Sequence, residues 1–408
     1  MVESLPARLK AARKRTNLGI DWNKMLGFLQ TGFADLTLGH VVLICVGLTF
    51  IYLAIVKDFE PYELLPIGIG LILANLPGTG LLVQPQETGG EIGTAGLLGI
   101  LIEFGLLRYT VLPLLIFVGL GALTDFAPLI ARPRLFLLGA AAQVGIIVAF
   151  LGALALGHFG IAEFGLEEAA AIAIIGGADG PTTIYVTSRL APEMMGITAV
   201  AAYSYMAMVA IIQPPIIRAL TSKREREIYM EPELREVSKT EEILFPIVCL
   251  ILIILLVPRS APIVGMFMFG NLLRVSGAVE RLSDTAQNAF INSITILLML
   301  SIGASMPAEL VMRPETLMVL ALGLIAFACG TAGGVLMGKL MKLVSKEPFN
   351  PMIGACGVSA VPMSARVVQR MGQEANPSNF LLMNAMGPNV AGVVGSAVIA
   401  GILLSVLG

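Results

Sequence analysis

Apolar residues run along this chain in long unbroken blocks, without the short alternation of strands. Charge-free stretches at 37–56, 135–157, 194–217, 286–307, 316–338 and 378–408 each meet or approach the roughly 20 apolar residues that carry a helix across a bilayer. Shorter apolar runs at 64–82, 109–124, 243–257 and 260–273 predict further helices. The expected fold is an all-α polytopic membrane protein with about 10–12 membrane segments. Two polar segments stand apart. Residues 1–36 interleave Leu5, Leu9, Leu18, Trp22 and Leu26 with Arg8, Lys10, Arg13 and Lys24, which predicts an amphipathic interfacial segment; a solvated tail is the alternative for residues 1–16. Residues 221–242 form a charged linker, cytoplasmic by the positive-inside rule, between a membrane repeat at 37–220 and another at 243–408.

The two halves match by eye. Gly121-Ala122 corresponds to Gly303-Ala304, Arg132-Pro133 to Arg313-Pro314, and GADGPT (177–182) to GVSAVP (357–362), at an offset near 181 residues. Internally repeated helical membrane proteins are usually transporters, with a site near the bilayer midplane where broken helices of the two repeats meet. If the two Gly-rich segments only half-cross, each repeat has an odd number of crossings and the copies are inverted; if they cross fully, the copies are parallel. Inverted copies are the expectation adopted.

Composition narrows this further. The 408 residues are 56% hydrophobic and 13% charged, about half the charge of a soluble domain. Of the 54 charges, 21 fall in residues 1–35 and 221–242, so few are left for the apolar stretches. Aromatics at 6%, with one Trp, argue against a porin-type barrel and its aromatic girdles. A net charge of −2 without a basic stripe leaves no nucleic-acid footprint. Cys45, Cys249, Cys329 and Cys356 lack metal or redox spacing and read as small hydrophobes; His40 and His158 are too far apart in the chain to suggest a shared centre. The first long apolar run begins only near His40, so no cleaved signal peptide is expected. GGVLMGK (333–339) has phosphate-loop spacing, but Leu340 stands where Ser or Thr is required.

The candidate chemistry lies at the two breaks. Asp179 is the sole charge between Ala169 and Ser188, where an ionised carboxylate costs at least about 2.5 kcal/mol to insert. Gly176, Gly177, Gly180 and Pro181 break the helix around it, and freed carbonyls beside a carboxylate make a hard oxygen site suited to sodium. The alternative is a surface turn in which Asp179 caps the next half-helix. The matching segment offers Asn350, Gly354, Gly357, Ser359 and Arg366, so a cation at Asp179 can face a carboxylate substrate at Arg366; otherwise Arg366 snorkels to headgroups. Tyr203 and Tyr205 can donate to a carboxylate or relay a proton, or simply pack. Asn384 and Asn389 place amides in the last span, Asn271 and Asn292 in others, as site groups or as helix–helix contacts. Glu103 with Arg108, and Asp125, read as interfacial or paired charges.

The strings GGADGPTTIYVTSRLAPE, AAYSYMAMVAIIQPPIIRALTS, GMFMFGNLLRVSGAVERLSDTAQN, NPMIGACGVSAVPMSARV and NFLLMNAMGPNVAGVVGSA closely resemble the beta subunit of sodium-translocating biotin-dependent decarboxylases, from about Gly39 to the C-terminus. That family includes oxaloacetate, methylmalonyl-CoA and glutaconyl-CoA decarboxylases. The resemblance implies a membrane-embedded subunit that releases CO2 from carboxybiotin, consumes a proton and exports sodium, with inverted repeats and an elevator-like core moving against a scaffold. Asp179, Tyr205 and Arg366 are implied as catalytic, Arg366 and Asn389 as carboxybiotin-binding, and Asp179, Asn350, Gly354 and Ser359 as sodium-binding.

Implied partners are a biotin carrier, a carboxyltransferase, a small gamma membrane subunit and membrane lipid, and a homo-oligomer in a prokaryotic cytoplasmic membrane is expected. No biotin-accepting Met-Lys-Met is present, since Met341-Lys342-Leu343 departs from it, so the biotin belongs to a separate carrier. The connector QPQETGGEIGTAG (84–96) is short where many oxaloacetate members carry a long insertion, a compactness closer to the acyl-CoA members. The rival function is a sodium-coupled carboxylate symporter or cation/proton antiporter.

Overall fold

The computed structural model describes residues 32–85, 95–231, 235–311, 314–360 and 362–408, and among them the regular elements are all helical. The first half contains α1 (Leu38–Val56), α2 (Pro61–Ala74), α3 (Leu97–Arg108), α4 (Val111–Leu123), α5 (Pro133–His158), α6 (Leu166–Ala173), α7 (Gly180–Leu190), α8 (Met195–Ala207) and α9 (Val209–Leu220). The second contains α10 (Lys239–Leu256), α11 (Ala261–Ser276), α12 (Glu280–Ala304), α13 (Pro314–Val344), α14 (Met363–Ala375) and α15 (Leu382–Leu407). The amphipathic segment expected at residues 1–36 lies almost wholly outside the described residues, as does Arg313.

Among the described residues five helices, α1, α5, α12, α13 and α15, are long and apolar enough to cross a membrane; counting the bent pairs α3–α4 (72°) and α8–α9 (64°) as one span each makes seven. This is fewer than the 10–12 segments expected, because several apolar runs fold as shorter or charged-ended helices. The run from 64 falls in the 14-residue α2, and α10 begins with Lys239, Glu241 and Glu242. Local chemistry sets these ends. Thr37 caps α1 by accepting from His40 N–H at 3.3 Å, while the His40 ring accepts from Thr37 N–H at 3.1 Å. Leu48, Tyr52, Ile55 and Val56 of α1 are exposed, as side chains facing hydrocarbon should be.

Helix pairs close through glycine, which lets backbones approach within the membrane. Gly70 of α2 lies against the Leu300 carbonyl of α12, and Gly303 of α12 against the Ile67 carbonyl of α2. The same reciprocal contact joins α4 and α11, where Gly121 meets the Phe267 carbonyl and Gly270 that of Val118. These four helices form one wall. Opposite it lie α5, α13 and α15 with the two broken segments.

Each broken segment returns towards the end of α13 from which it came. Glu163 and Glu168 before the first break, Glu193 after it, and Glu315 at the start of α13 line a common cavity of about 240 Å³. Asn350 before the second break and Asn376 after it both bond the linker, which in turn touches Lys339 and Lys342 at the far end of α13.

The linker is tied down by asparagines. The amides of Asn350, Asn376, Asn379 and Asn384 donate to the carbonyls of Arg226 and Ile228, Glu227, Ile228, and Glu231 respectively, and Met230 is buried beside them. Glu225 bridges Lys342 at 3.2 Å and Lys339 at 3.5 Å. Burial would raise its carboxyl, but hydrogen bonds from Ser222 and Lys342 and the Lys339 charge outweigh it and hold the group down to about 2, below its ordinary 4.5. A depressed carboxylate stabilises the docked linker fully above 4.5 and loses that contribution as pH falls towards 2. Glu225→Gln is therefore expected to raise hydrogen exchange at residues 221–231 at neutral pH by up to about fivefold, the range of a partly exposed ion pair. Wild-type protection, corrected for intrinsic rate, should hold down to pH 4.5 and fall below it.

Candidate functional site

The first break begins where α6 tightens into a 3-10 turn at Ile174–Gly177. Ala178 then adopts φ +52°, a left-handed conformation costing a non-glycine residue about 1 kcal/mol or more. This turns the chain so that Asp179 caps α7. Its Oδ1 accepts from Thr182 N–H at 3.3 Å, and its Oδ2 accepts from Thr182 Oγ1 at 2.7 Å and from Ser396 Oγ at 3.0 Å. Asp179 is 5% exposed and has no ion-pair partner among the described residues. The capping role weighed as the alternative is thus real, and it operates in a buried setting rather than in a surface turn.

The second break meets the first directly. Ser359 N–H donates to the Gly177 carbonyl at 3.1 Å, and Ser359 Oγ donates to Ser396 Oγ at 3.4 Å, so Ser359, Ser396 and Asp179 form one chain of oxygens. Asn389 of α15 holds this turn open. Its amide donates to the carbonyls of Cys356 (3.2 Å) and Val358 (2.9 Å) and to Ser364 Oγ (3.0 Å).

The Asp179–Ser359 junction opens into a cavity of about 380 Å³. Its far wall is built from Ile116 and Leu120 of α4, Phe267 of α11 and Met299 of α12, with Glu60 and Glu63 at the start of α2. Tyr203 also lines it, and the Tyr203 ring occupies the space that a Cβ on Gly180 would fill. Arg366 is exposed on α14 and is not among the residues that line the cavity, although its charge reaches Glu60.

The remaining expected site residues lie elsewhere. The Tyr205 hydroxyl donates to the Leu320 carbonyl of α13. Asn350 spends its amide on the linker, and its carbonyl oxygen accepts from Met352 N–H at 3.1 Å. Gly354 is pressed against the Gly334 carbonyl of α13, with Gly334 reciprocally against Gly354. Asn384 accepts from Arg132 at 2.5 Å, and Asn271 donates to the Thr124 carbonyl at 2.8 Å, both helix-to-helix contacts. Ser396, Glu60 and Glu63 were not singled out from the sequence. The glutamates carried a usable signal, two acids flanking Pro61 at the mouth of an apolar helix; Ser396, a single hydroxyl in a long apolar span, carried none.

The family described as the Na+-transporting oxaloacetate decarboxylase beta subunit matches residues 39–407. Among individual proteins, the chain is similar to the methylmalonyl-CoA decarboxylase subunit beta of Propionigenium modestum, 54% identical over 93% of this chain and 98% of the relative. It is 51% identical to the oxaloacetate decarboxylase beta chain 2 of Salmonella typhi, over 91% of this chain and 96% of that one. The glutaconyl-CoA decarboxylase subunit beta of Acidaminococcus fermentans is 52% identical, over 93% and 96%.

Proposed function

The chain belongs to the family of beta subunits of sodium-transporting decarboxylases, and from that premise we propose that it couples loss of CO2 from carboxybiotin to sodium export through the Asp179–Ser359 junction. The observation that carries this is the Ser359 N–H to Gly177 carbonyl bond, which joins the two breaks beside a buried carboxylate. A bare monovalent cation suits Asp179, the hydroxyls of Ser359 and Ser396 and a freed break carbonyl, all hard oxygen donors.

Sodium at this junction neutralises Asp179 and makes the cavity receptive to the carboxylate of carboxybiotin, with Arg366 as its guanidinium partner. Breaking the carbon–nitrogen bond releases CO2 and leaves the electron pair on the ureido nitrogen, which takes up one proton. The site then loses a negative charge, sodium binding weakens, and the equilibrium moves towards the outward state. Tyr205 contributes to proton movement only after leaving the Leu320 carbonyl, and Asn350 and Gly354 support the second break from its linker side and from α13.

The two breaks are re-entrant hairpins entering from opposite faces, as expected of inverted repeats. This is supported by the return of each break to opposite ends of α13. The glycine-closed wall of α2, α4, α11 and α12 serves as scaffold, and the hairpins with α5, α13 and α15 as the moving core. Since the sequence offers no Met-Lys-Met acceptor, the biotin is carried by a separate subunit; a carboxyltransferase and a small gamma subunit complete the complex, and the membrane part assembles as a homo-oligomer. Adding free carboxybiotin to the reconstituted complex tests the reaction. CO2 release that needs sodium and is not supported by potassium is expected, and release indifferent to the cation overturns the coupling.

A further inference from the structure

Glu60 and Glu63 lie on the cavity wall facing the junction, outside every role assigned above. Glu60 sits at φ +33°, a left-handed turn that Pro61 follows as α2 begins, and the two side chains line the same cavity and act on one another. A carboxyl against a carboxyl in an apolar cavity holds at most one ionised member unless a cation intervenes. Two further observations mark the place. The Tyr203 hydroxyl is buried, has no hydrogen-bond partner among the described residues, and lines the cavity together with Glu63 and Asp179. Glu63 itself has a carboxyl oxygen that is buried and unpartnered.

The charges near the cavity then balance simply. Glu60, Glu63 and Asp179 are opposed by Arg366, so an electrically neutral chamber takes two more positive charges: one sodium at Asp179 and one proton on the glutamates. Glu60, Glu63, Asp179 and Tyr203 are the only ionisable side chains lining the cavity among the described residues, and Lys57 and Asp58 in the preceding corner are exposed. α1 and α12, the helices packed on α2, bring no charged side chain to it.

We propose that Glu60 and Glu63 form a carboxyl–carboxylate pair that stores one proton on the wall opposite Asp179 and passes it, through the Tyr203 hydroxyl, to the nitrogen freed when CO2 leaves. The O–H bond of the pair breaks, Tyr203 oxygen takes that proton as its own moves to the nitrogen, and a proton from water refills the pair in the same passage, so that it does not rest as two carboxylates. This deepens the decarboxylation reading and rests on it.

The stored proton and a sodium ion at Asp179 repel across the chamber, so each weakens the other's binding. Sodium affinity of the purified complex, measured by radiolabel binding, is expected to rise at least about fivefold from about pH 6 to about pH 8. In the double variant Glu60→Gln/Glu63→Gln, where no exchangeable proton is left on this wall, sodium should still bind but with affinity flat across this range, and sodium-dependent CO2 release should slow. Retained sodium binding reports that the variant is folded. Tyr203→Phe should keep the wild-type pH dependence of binding yet slow CO2 release, since only the passage of the proton is cut. A double variant with the wild-type pH dependence assigns the proton to Asp179 and overturns the proposal. Absence of sodium binding in the wild type instead overturns the sodium site, leaving the two failures distinct.

Discussion

Asp179→Asn is expected to abolish sodium-stimulated CO2 release while the protein folds and assembles. Asn caps a helix about as well as Asp, so the bond from Thr182 N–H survives and α7 keeps its start. Charge is what disappears. With the amide oxygen kept for that bond, the NH2 takes the place of Oδ2, so the hydroxyls of Thr182 and Ser396 must turn to accept from it, and a cation entering between the breaks meets only dipoles. Losing one charge-assisted contact removes roughly 3 kcal/mol, about 100-fold in sodium affinity. Radiolabelled sodium binding, with thermal unfolding of the same sample as the folding control, checks this. A variant that binds sodium like the wild type removes Asp179 from the site.

Gly354→Ala is expected to be nearly as damaging, for a different reason. The new methyl would be driven into the Gly334 carbonyl, backbone against backbone, where no side chain can rotate away. Overpacking of this kind typically costs about 1–3 kcal/mol. It also pushes the second break off α13 and moves Ser359 away from Gly177. Gly334→Ala meets the reciprocal clash with Gly354 and should lower the melting temperature and the sodium affinity to a similar degree. If Gly354 instead matters as a carbonyl ligand, Gly334→Ala should leave sodium affinity intact, and paired titrations of the two variants separate these outcomes.

Much of the site was legible in the chain because charge is so scarce there. Asp179 stood out as a lone carboxylate among glycines, and the internal repeat pointed from it to Ser359; the two are joined through Ser396 and by the Gly177–Ser359 bond. The tyrosines show where such inference stops. Tyr203 and Tyr205 are two residues apart on one helix, so their side chains point about 200° apart and only one can face the break. Nothing local says which. The structure turns Tyr203 to the cavity and Tyr205 to Leu320. Asn350 reads as a ligand from its place before a break, but its amide meets linker carbonyls more than a hundred residues away, a pairing no local pattern carries. Hydropathy likewise registers every apolar run without saying which become helices long enough to span: the run from 64 gives only the 14-residue α2, and α10 starts on charged residues.

The central claim is that one carboxylate at the junction of two broken helices ties CO2 release to sodium movement. It is tested most directly by following both in proteoliposomes of the whole complex, with carboxybiotin as the only energy source and radiolabelled sodium on one side. CO2 release and sodium transport should rise together with sodium, and both should vanish in Asp179→Asn. CO2 release at the wild-type rate in that variant, with or without sodium transport, would contradict the claim.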